Sequence, residues 1–433
     1  MMRVAVVGAG WAGAAAALTL ARAGVQVTVF EANRIAGGRA RKVEKDGRIF
    51  DNGQHLLLGA YERSIALIES LHSSVDTVVQ RLPLALCTAP ASPSPLELKA
   101  PRLSAPLNLL AAVAGASGLS VRDKFSMILW SARHLRAQRV DPDATVAALL
   151  AEQTEPARRL LWEPLCIAAL NTPALAASAG VFIEVLRRTF AGNQAASDLI
   201  VPRVNLSLLV PEPALAEVAA RGNSVQLGIP VTSVTQSDGF VTVSCTDGSD
   251  VFDRVILATG PQHISRLLVT EATTETVVNA LRSLRFEPIT THHFEFACVS
   301  PEIATDRPML MLDGEPGQWL FWQRQRNGHW RASVVISAHH RSEDDADAPA
   351  RTLIQLRRSY QLPQPVWQQS ITEKRATYAC TPEQKQLLTS LPKQVGALHF
   401  AGDWCLPELP ATLEAAVVSG ENAARAIIHG IRQ

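Results

Sequence analysis

The pattern of apolar and polar positions switches between strand-like and helix-like periods several times, and its clearest stretch comes first. Residues 4–7 form an uncharged, mostly β-branched run, the mark of a parallel strand buried on both faces. Residues 14–23 are alanine-rich and closed by Gly24, which predicts a helix. A second β-branched run over 25–30 ends at Glu31. A helix is expected over 60–72, with Ile65, Ile68 and Leu71 on one side. Two short strands joined by a Pro/Ser turn at 89–95 are expected within 82–99. Residues 106–190 read as helical almost throughout, with Asp141-Pro142 and Thr172-Pro173 as breaks. A helix at 211–220 and a short strand at 225–227 follow. Alternating runs at 231–236, 239–245 and 251–257 then read as strands, with turns at 237–239 and 246–248. Further strands are expected at 290–299, 319–325 and 329–337. The chain closes with a strand from 398 running into Gly402-Asp403, and a helix from Pro410 to near Gly430.

The first of these units carries chemistry. Gly8-x-Gly10-x-x-Gly13 lies between strand and helix. There Gly8 permits the tight turn, Gly10 lets a pyrophosphate approach the backbone, and Gly13 lets the helix pack closely. The free N–H groups at the helix start meet phosphate charge. Glu31, at the tip of the second strand, can accept hydrogen bonds from a ribose. Strand, helix, strand and acid in this order predict a dinucleotide site. Gly37-Gly38-Arg39 and Asp51-Asn52-Gly53-Gln54-His55 then favour FAD over NAD. A longer cofactor runs past the first turn, where Arg39 can face its phosphates.

Composition narrows the partners. The 41 basic and 40 acidic residues leave no electrostatic footprint for nucleic acid. Apolar residues reach 47% while aromatics are 5%, which favours an aliphatic cavity over an aromatic cage. Six scattered cysteines form no CxxC pair and no metal-like cluster, and no signal peptide is visible, so a cytoplasmic protein with reduced thiols is expected. Residues 103–121 carry no charge and are flanked by Arg102 and Arg122, but Pro106, Asn108 and Ser117 make a poor membrane span. Residues 121–139 pair apolar positions with five basic ones. Such a helix either lies on a membrane surface or packs its apolar side on the core, and the uncharged segment before it favours peripheral contact with the inner face of a membrane.

The flavin motifs resemble the superfamily of FAD-containing amine oxidases and phytoene desaturases. Four further stretches, 51–61, 162–173, 196–207 and 375–382, resemble the hydroxysqualene dehydroxylases within it, and the likeness runs from Met1 to the last helix. The resemblance implies an α/β protein: a Rossmann-like, glutathione-reductase-like FAD-binding domain from 1–78, 206–264 and 394–433, interleaved with an α+β substrate-binding domain from 79–205 and 265–393. It implies FAD held by Gly8, Ala9, Gly10, Trp11, Ala12, Gly13, Glu31, Gly38, Arg39, Gly53, Gln54 and His55. Val231 meets the adenine, and Gly260, Gly402, Asp403, Thr412 and Leu413 complete the set. In flavoproteins a helix N-terminus such as that at Thr412-Leu413 stabilises negative charge on reduced flavin. The implied activity is reduction of hydroxysqualene to squalene with loss of water, in hopanoid or triterpenoid biosynthesis. A long apolar isoprenoid is then the substrate, and the electron donor stays open because no separate NAD(P)H motif is present. An acid must help the hydroxyl leave: His55 comes first, then Asp198, with Asp51, Arg203 and Asn171 nearby in the family-like segments. Cys380 is the cysteine to check for covalent flavin.

The chain departs from the family pattern at 405–408, beside the flavin edge, and at 321–326. A carotenoid-type desaturase would use the same parts in the oxidative direction. An amine oxidase is poorly supplied by three tyrosines, and a non-catalytic prenyl-lipid escort should have eroded flavin motifs.

Overall fold

In the computed structural model, residues 2–432 are described except for 104–105, 137–138, 192, 238, 269–272, 300–308, 314–315 and 339–345. Parts of the expected membrane-facing stretch (104–105 and 137–138) and Asp238 of the expected turn lie outside the described residues. The Arg3–Val7 strand is central in a six-stranded sheet. Its order is Ser224–Leu227, Gln26–Glu31, Arg3–Val7, Arg254–Leu257, Leu398–Phe400, Gln394–Val395. All neighbours are parallel except the last pair.

Alternation along Arg3–Val7 explains the layers. Val4 and Val6 pack with the alanines of helix Trp11–Arg22 and with Val417, Ala424 and Ile427 of helix Leu413–Arg432. Ala5 and Val7 point the other way, onto Val234, Val241, Val243 and Phe252 of the meander Val231–Ser237, Phe240–Cys245, Gly248–Phe252. The two helices approach so closely that a Cβ at Gly420 would lie 2.1 Å from the Ala12 carbonyl oxygen.

The expected single strand at 251–257 is two strands in two sheets. The switch is at Asp253, whose carboxylate accepts the Arg3 N–H at 2.6 Å while its own N–H donates to the Arg3 carbonyl. That exchange lifts the chain from the meander into the main sheet.

The second structural body is a five-stranded antiparallel sheet, ordered Met309–Met311, Trp319–Arg324, Trp330–Ser337, Phe286–Phe296, Trp367–Tyr378. One face packs Phe294, Leu320, Trp322 and Val334 against Leu353 and Leu356 of helix Ala348–Ser359. The other face packs Met309, Trp319, Phe321 and Val335 against a helical layer that includes Leu107–Gly115, Val121–His134, Glu163–Leu170 and Ala179–Phe190. The expected near-continuous helix over 106–190 is thus several helices. Breaks come where Gly and Ser follow Gly115 and at Pro142 and Pro173, and the turn widens to π geometry over Arg158–Trp162, ahead of Pro164, which has no N–H to give.

A hairpin, Lys42–Lys45 with Arg48–Asp51, was not foreseen. It lies on the second sheet through a buried ionic cluster. Glu295 accepts from Arg331 Nη2 at 3.1 Å, Arg48 Nε at 3.3 Å and His329 Nδ1 at 2.9 Å, and Arg331 Nη1 donates to the Ile49 carbonyl at 3.1 Å. Burial alone would raise the Glu295 pKa, but His329, Arg331 and Asn327 hold it below the ordinary value. Among the described residues no helix is long and apolar enough to cross a membrane.

Candidate active site

At the end of Arg3–Val7 the chain turns through Gly8, whose φ of +103° and closeness to Ala258 (a Cβ would lie 2.9 Å from its carbonyl oxygen) leave room only for glycine. A Cβ on Gly13 would lie 1.8 Å from the Gly8 carbonyl oxygen, so helix and turn meet backbone to backbone. Gly10 differs. Its φ is −73°, and the nearest protein atom to a Cβ there is 3.8 Å away. Nothing in the protein demands a glycine at that point; the space it leaves opens on a cavity.

The helix Trp11–Arg22 starts there without a side-chain cap, so its first N–H groups face that cavity unclaimed by any side chain. The Thr259 hydroxyl and the Gln262 amide oxygen, both on the cavity wall, are buried without a hydrogen-bond partner. An open glycine, an uncapped helix start and the free Thr259 hydroxyl fit a bound dinucleotide pyrophosphate, while the Gln262 oxygen fits a donor group elsewhere on the cofactor. Glu31 accepts the Ala9 N–H at 2.7 Å through one oxygen and the Asn33 N–H at 2.9 Å through the other, so it braces the glycine turn as well as lining the cavity.

Further along, Arg39 lines the cavity but its guanidinium is engaged. Nη2 donates to Asp403 at 2.8 Å and Nη1 to the Ala376 carbonyl at 2.8 Å. Burial alone would lower its pKa, and Asp403 more than offsets this. The residue expected to face phosphates therefore ties the early Gly37-Gly38 turn to the Asp403 turn and to strand Trp367–Tyr378. The Arg41 guanidinium, also on the wall, donates through Nη1 to the Gly38 carbonyl. Gly402 adopts φ +150°, and a Cβ there would strike the buried Trp404 ring. The departure from the family pattern at 405–408 thus follows a turn packed on tryptophan. Thr412 Oγ1 accepts the Ala415 N–H at 3.2 Å and caps the start of helix Leu413–Arg432, while Glu414 accepts the N–H groups of Arg63 and Ser64.

All the residues named above for FAD line one cavity of about 710 Å³ except Ala9 and Gly13, which build the turn behind it. Past His55 the same cavity continues between the helical layer and the second sheet, along Leu84, Leu86, Leu165, Phe182, Leu186, Phe190, Met309, Trp319, Phe321 and Val335. The expected aliphatic character needs correction. Four aromatics are concentrated here among the leucines, a grouping that overall composition averages away.

The proposed acids are placed very differently. His55 lines the cavity where its two parts meet, and its Nδ1 is 2.9 Å from the Gly53 carbonyl oxygen. That oxygen can only accept, so Nδ1 carries the proton and Nε2 the lone pair. Burial lowers the pKa from the usual 6.5; the Gly53 bond opposes this and Arg39 adds to it. At neutral pH the ring is an uncharged acceptor and not a loaded acid. Asp198 is a correction. Its carboxylate pairs with Arg81 at 3.3 Å and lies outside the cavity wall, while its backbone carbonyl takes the Gly59 N–H. Asp51 also lies outside the wall; burial raises its pKa to about 7, opposed by the Leu206 N–H that it accepts at 2.8 Å. Asn171, left-handed at φ +46°, lines the cavity and clamps strands by donating to Thr377 Oγ1 and accepting from Ala338 N–H. Cys380 is off the wall, and burial pushes its thiol up to about 12. Thr259, Gln262, His263 and Glu373 line the cavity without any sequence signal having marked them, and Ala376 and Thr377, from the family-like stretch 375–382, line it as well. Among the described residues no group of His, Cys, Asp or Glu could hold a metal ion.

Comparison with known proteins defines the class. Residues 11–428 match the family described as flavin containing amine oxidoreductase. The chain belongs to that family and is an FAD-dependent oxidoreductase. It is 31% identical to the hydroxysqualene dehydroxylase of Rhodopseudomonas palustris, with 98% of each chain covered. It is 30% identical to that of Sinorhizobium fredii, with 97% of each covered. Among solved structures, cyclohexylamine oxidase from Brevibacterium oxydans superposes with a TM-score of 0.71 at 18% identity, covering 100% of each chain, a likeness of fold alone.

Proposed function

We propose that the protein reduces hydroxysqualene to squalene with loss of water, within hopanoid or triterpenoid biosynthesis. The observation that carries this reading is the continuity of the cavity: the wall that fits FAD runs unbroken into an apolar wall of leucines, phenylalanines and tryptophan. In this reading the segments 1–78, 206–264 and 394–433 serve the cofactor, and 79–205 and 265–393 serve the substrate. The relatives named hydroxysqualene dehydroxylase support the choice among isoprenoid alcohols. Reduced FAD supplies the hydride that replaces the hydroxyl on carbon.

The residues of the chain supply position and dryness. The apolar wall strips water from the hydrocarbon and fixes its reach toward the cofactor end. His55 stands at the junction with Nε2 free to accept a hydrogen bond, so it holds the substrate hydroxyl. The imidazole, neutral and already protonated at Nδ1, is not the source of the proton that turns this hydroxyl into water. The Arg39–Asp403 pair fixes strand Trp367–Tyr378 against the cofactor crevice and so sets the relation of its two parts. Peripheral contact with a membrane through part of 103–139 belongs to the same reading, since so apolar a substrate partitions into bilayers.

The test is anaerobic. Dithionite-reduced enzyme given hydroxysqualene should form squalene and regain the yellow of oxidised flavin. A carotenoid-type desaturase would instead bleach its oxidised flavin on meeting a polyene precursor, and an escort protein would do neither; either result overturns the proposal.

A further inference from the structure

Two helices of the helical layer are apolar on both sides. On Val121–His134, Met127 and Trp130 are buried, yet Val121, Phe125 and Leu129 are 85%, 62% and 54% exposed. On Leu107–Gly115, Ala112 and Val113 are buried, while Leu107 and Leu110 are 54% and 38% exposed. The Lys124 ammonium donates to the Ala114 carbonyl at 2.9 Å and ties the helices together. Isolated exposed apolar residues need no explanation, but five on two tied helices form a patch that does.

Behind these helices lies a second, smaller void of about 20 Å³. Its outer wall is Leu109, Val113, Met127, Ser131 and Leu135, from the same two helices and the residue just after the second. Its inner wall includes Leu84, Leu86, Leu165, Leu186 and Phe190, and each of these also lines the large cavity. One layer of side chains therefore separates the apolar end of the active-site cavity from a void that begins directly under the exposed patch. With Ser131 its one polar lining residue, the void offers water too few partners to hold it. Buried side chains still hop between rotamers, and the void beside these gives them room, so this layer can part for a hydrocarbon chain.

We propose that the long apolar substrate passes into the cavity sideways, between Leu107–Gly115 and Val121–His134, out of the hydrocarbon of a lipid bilayer on which Leu107, Leu110, Val121, Phe125 and Leu129 rest. This deepens the function proposed above and rests on its apolar substrate. A bilayer is favoured over a carrier protein by the charges beside the patch. Arg122 is exposed on the same helix as the apolar row and Arg136 just after it, Arg133 between them pairs with Glu152 at 3.1 Å, and Arg102 stands exposed ahead of the other helix. This is the arrangement that places aliphatic side chains in acyl chains and cations among anionic headgroups.

The experiment uses FAD-loaded enzyme, vesicles of phosphatidylcholine and phosphatidylglycerol, and a brominated straight-chain hydrocarbon dissolved in them. Uptake is followed by quenching of tryptophan fluorescence, since Trp319 lines the cavity and Trp162 the void. Wild-type enzyme should float with the vesicles and be quenched. Phe125→Asp with Leu129→Asp should weaken flotation about a hundredfold, with flavin absorbance and Tm unchanged. Ser131→Trp should float normally yet take up the hydrocarbon about tenfold more slowly. Ser131→Leu, a smaller plug that the fold accommodates more easily, should slow uptake in the same direction. Wild-type enzyme that ignores vesicles would overturn the bilayer and point to a protein carrier. Normal uptake by both Ser131 variants while they float would overturn the lateral route. The probe is neither substrate nor product, so neither outcome depends on the reaction assay, and failure of that assay leaves this one intact.

Discussion

The two ends of the cavity are built on opposite principles. At the cofactor end shape is set by backbone and by fixed polar pairs: Gly8 against Ala258, Gly13 against Gly8, Glu31 on Ala9 and Asn33, Arg39 on Asp403. At the far end shape is set by side-chain volume, contributed by Leu84, Leu165, Phe182, Leu186, Met309 and Phe321 from distant parts of the chain. The first kind of wall tolerates almost no substitution, because a displaced backbone or an orphaned buried donor has no cheap remedy. The second tolerates many, because neighbouring apolar groups relax around the change. One cavity thus combines a strict cofactor site with a tunable substrate site.

The sharpest way to break that contrast is Gly13→Val. Its Cβ would lie 1.8 Å from the Gly8 oxygen, so the turn cannot close, and the purified protein should be colourless and take up no FAD on titration. Next is Glu295→Gln, which leaves Arg331 buried without its carboxylate and should cost about 3–5 kcal/mol in denaturant unfolding. Because the Glu295 pKa is lowered in the folded state, that contribution is present above its ordinary range near 4.5 and is lost as pH falls. The variant should therefore show a flatter loss of stability in acid than wild type. Glu31→Ala removes the acceptor of the buried Ala9 N–H and should raise the FAD Kd about a hundredfold by equilibrium titration.

At the other end, Phe321→Ala should raise KM for an isoprenoid substrate about tenfold, by loss of buried apolar area, with FAD affinity unchanged. If FAD affinity falls with it, the two ends are not separable and the comparison fails. The smallest effect is the pH profile. With His55 acting as a neutral acceptor, kcat/KM should be level at neutral pH and decline as pH falls through a midpoint below 6.5, where Nε2 becomes protonated. His55→Gln, which keeps an acceptor, should retain more activity than His55→Ala and lose that decline. Activity that instead falls as pH rises through that midpoint would restore His55 as the acid.

The same contrast governs how far the site could be read from the chain alone. Gly8, Gly10, Gly13 and Glu31 were legible because they fall at one short spacing between strand, helix and second strand, even though Ala258 also presses on Gly8 and the space at Gly10 belongs to the cavity. The strand–helix–strand unit that carries them follows from periodicity. Arg39 was legible as a site residue but not in its use, because its partner Asp403 is 364 positions away. Asp198 was misread for the complementary reason: its segment resembles the family, but its carboxylate turns to Arg81. The apolar wall had no motif to find. Its residues come from strands and helices whose order in space depends on the five-stranded sheet, and strand Trp367–Tyr378 hides in a polar stretch because much of it is only half-buried.

The Arg39–Asp403 pair has a consequence for the birth of the molecule. A ribosome delivers Asp403 364 residues after Arg39, so the crevice stays open on one side while that span is made. Arg3–Val7 finds Gln26–Glu31 on one edge early, but Arg254–Leu257, its partner on the other edge, comes only in mid-chain and Leu398–Phe400 beyond it later still, and such distant pairings are slow to form. During that interval the nascent N-terminal strand has an unpaired edge and is exposed to misassociation. Flavin colour, on this view, reports that the Asp403 turn has been made and has closed on Arg39.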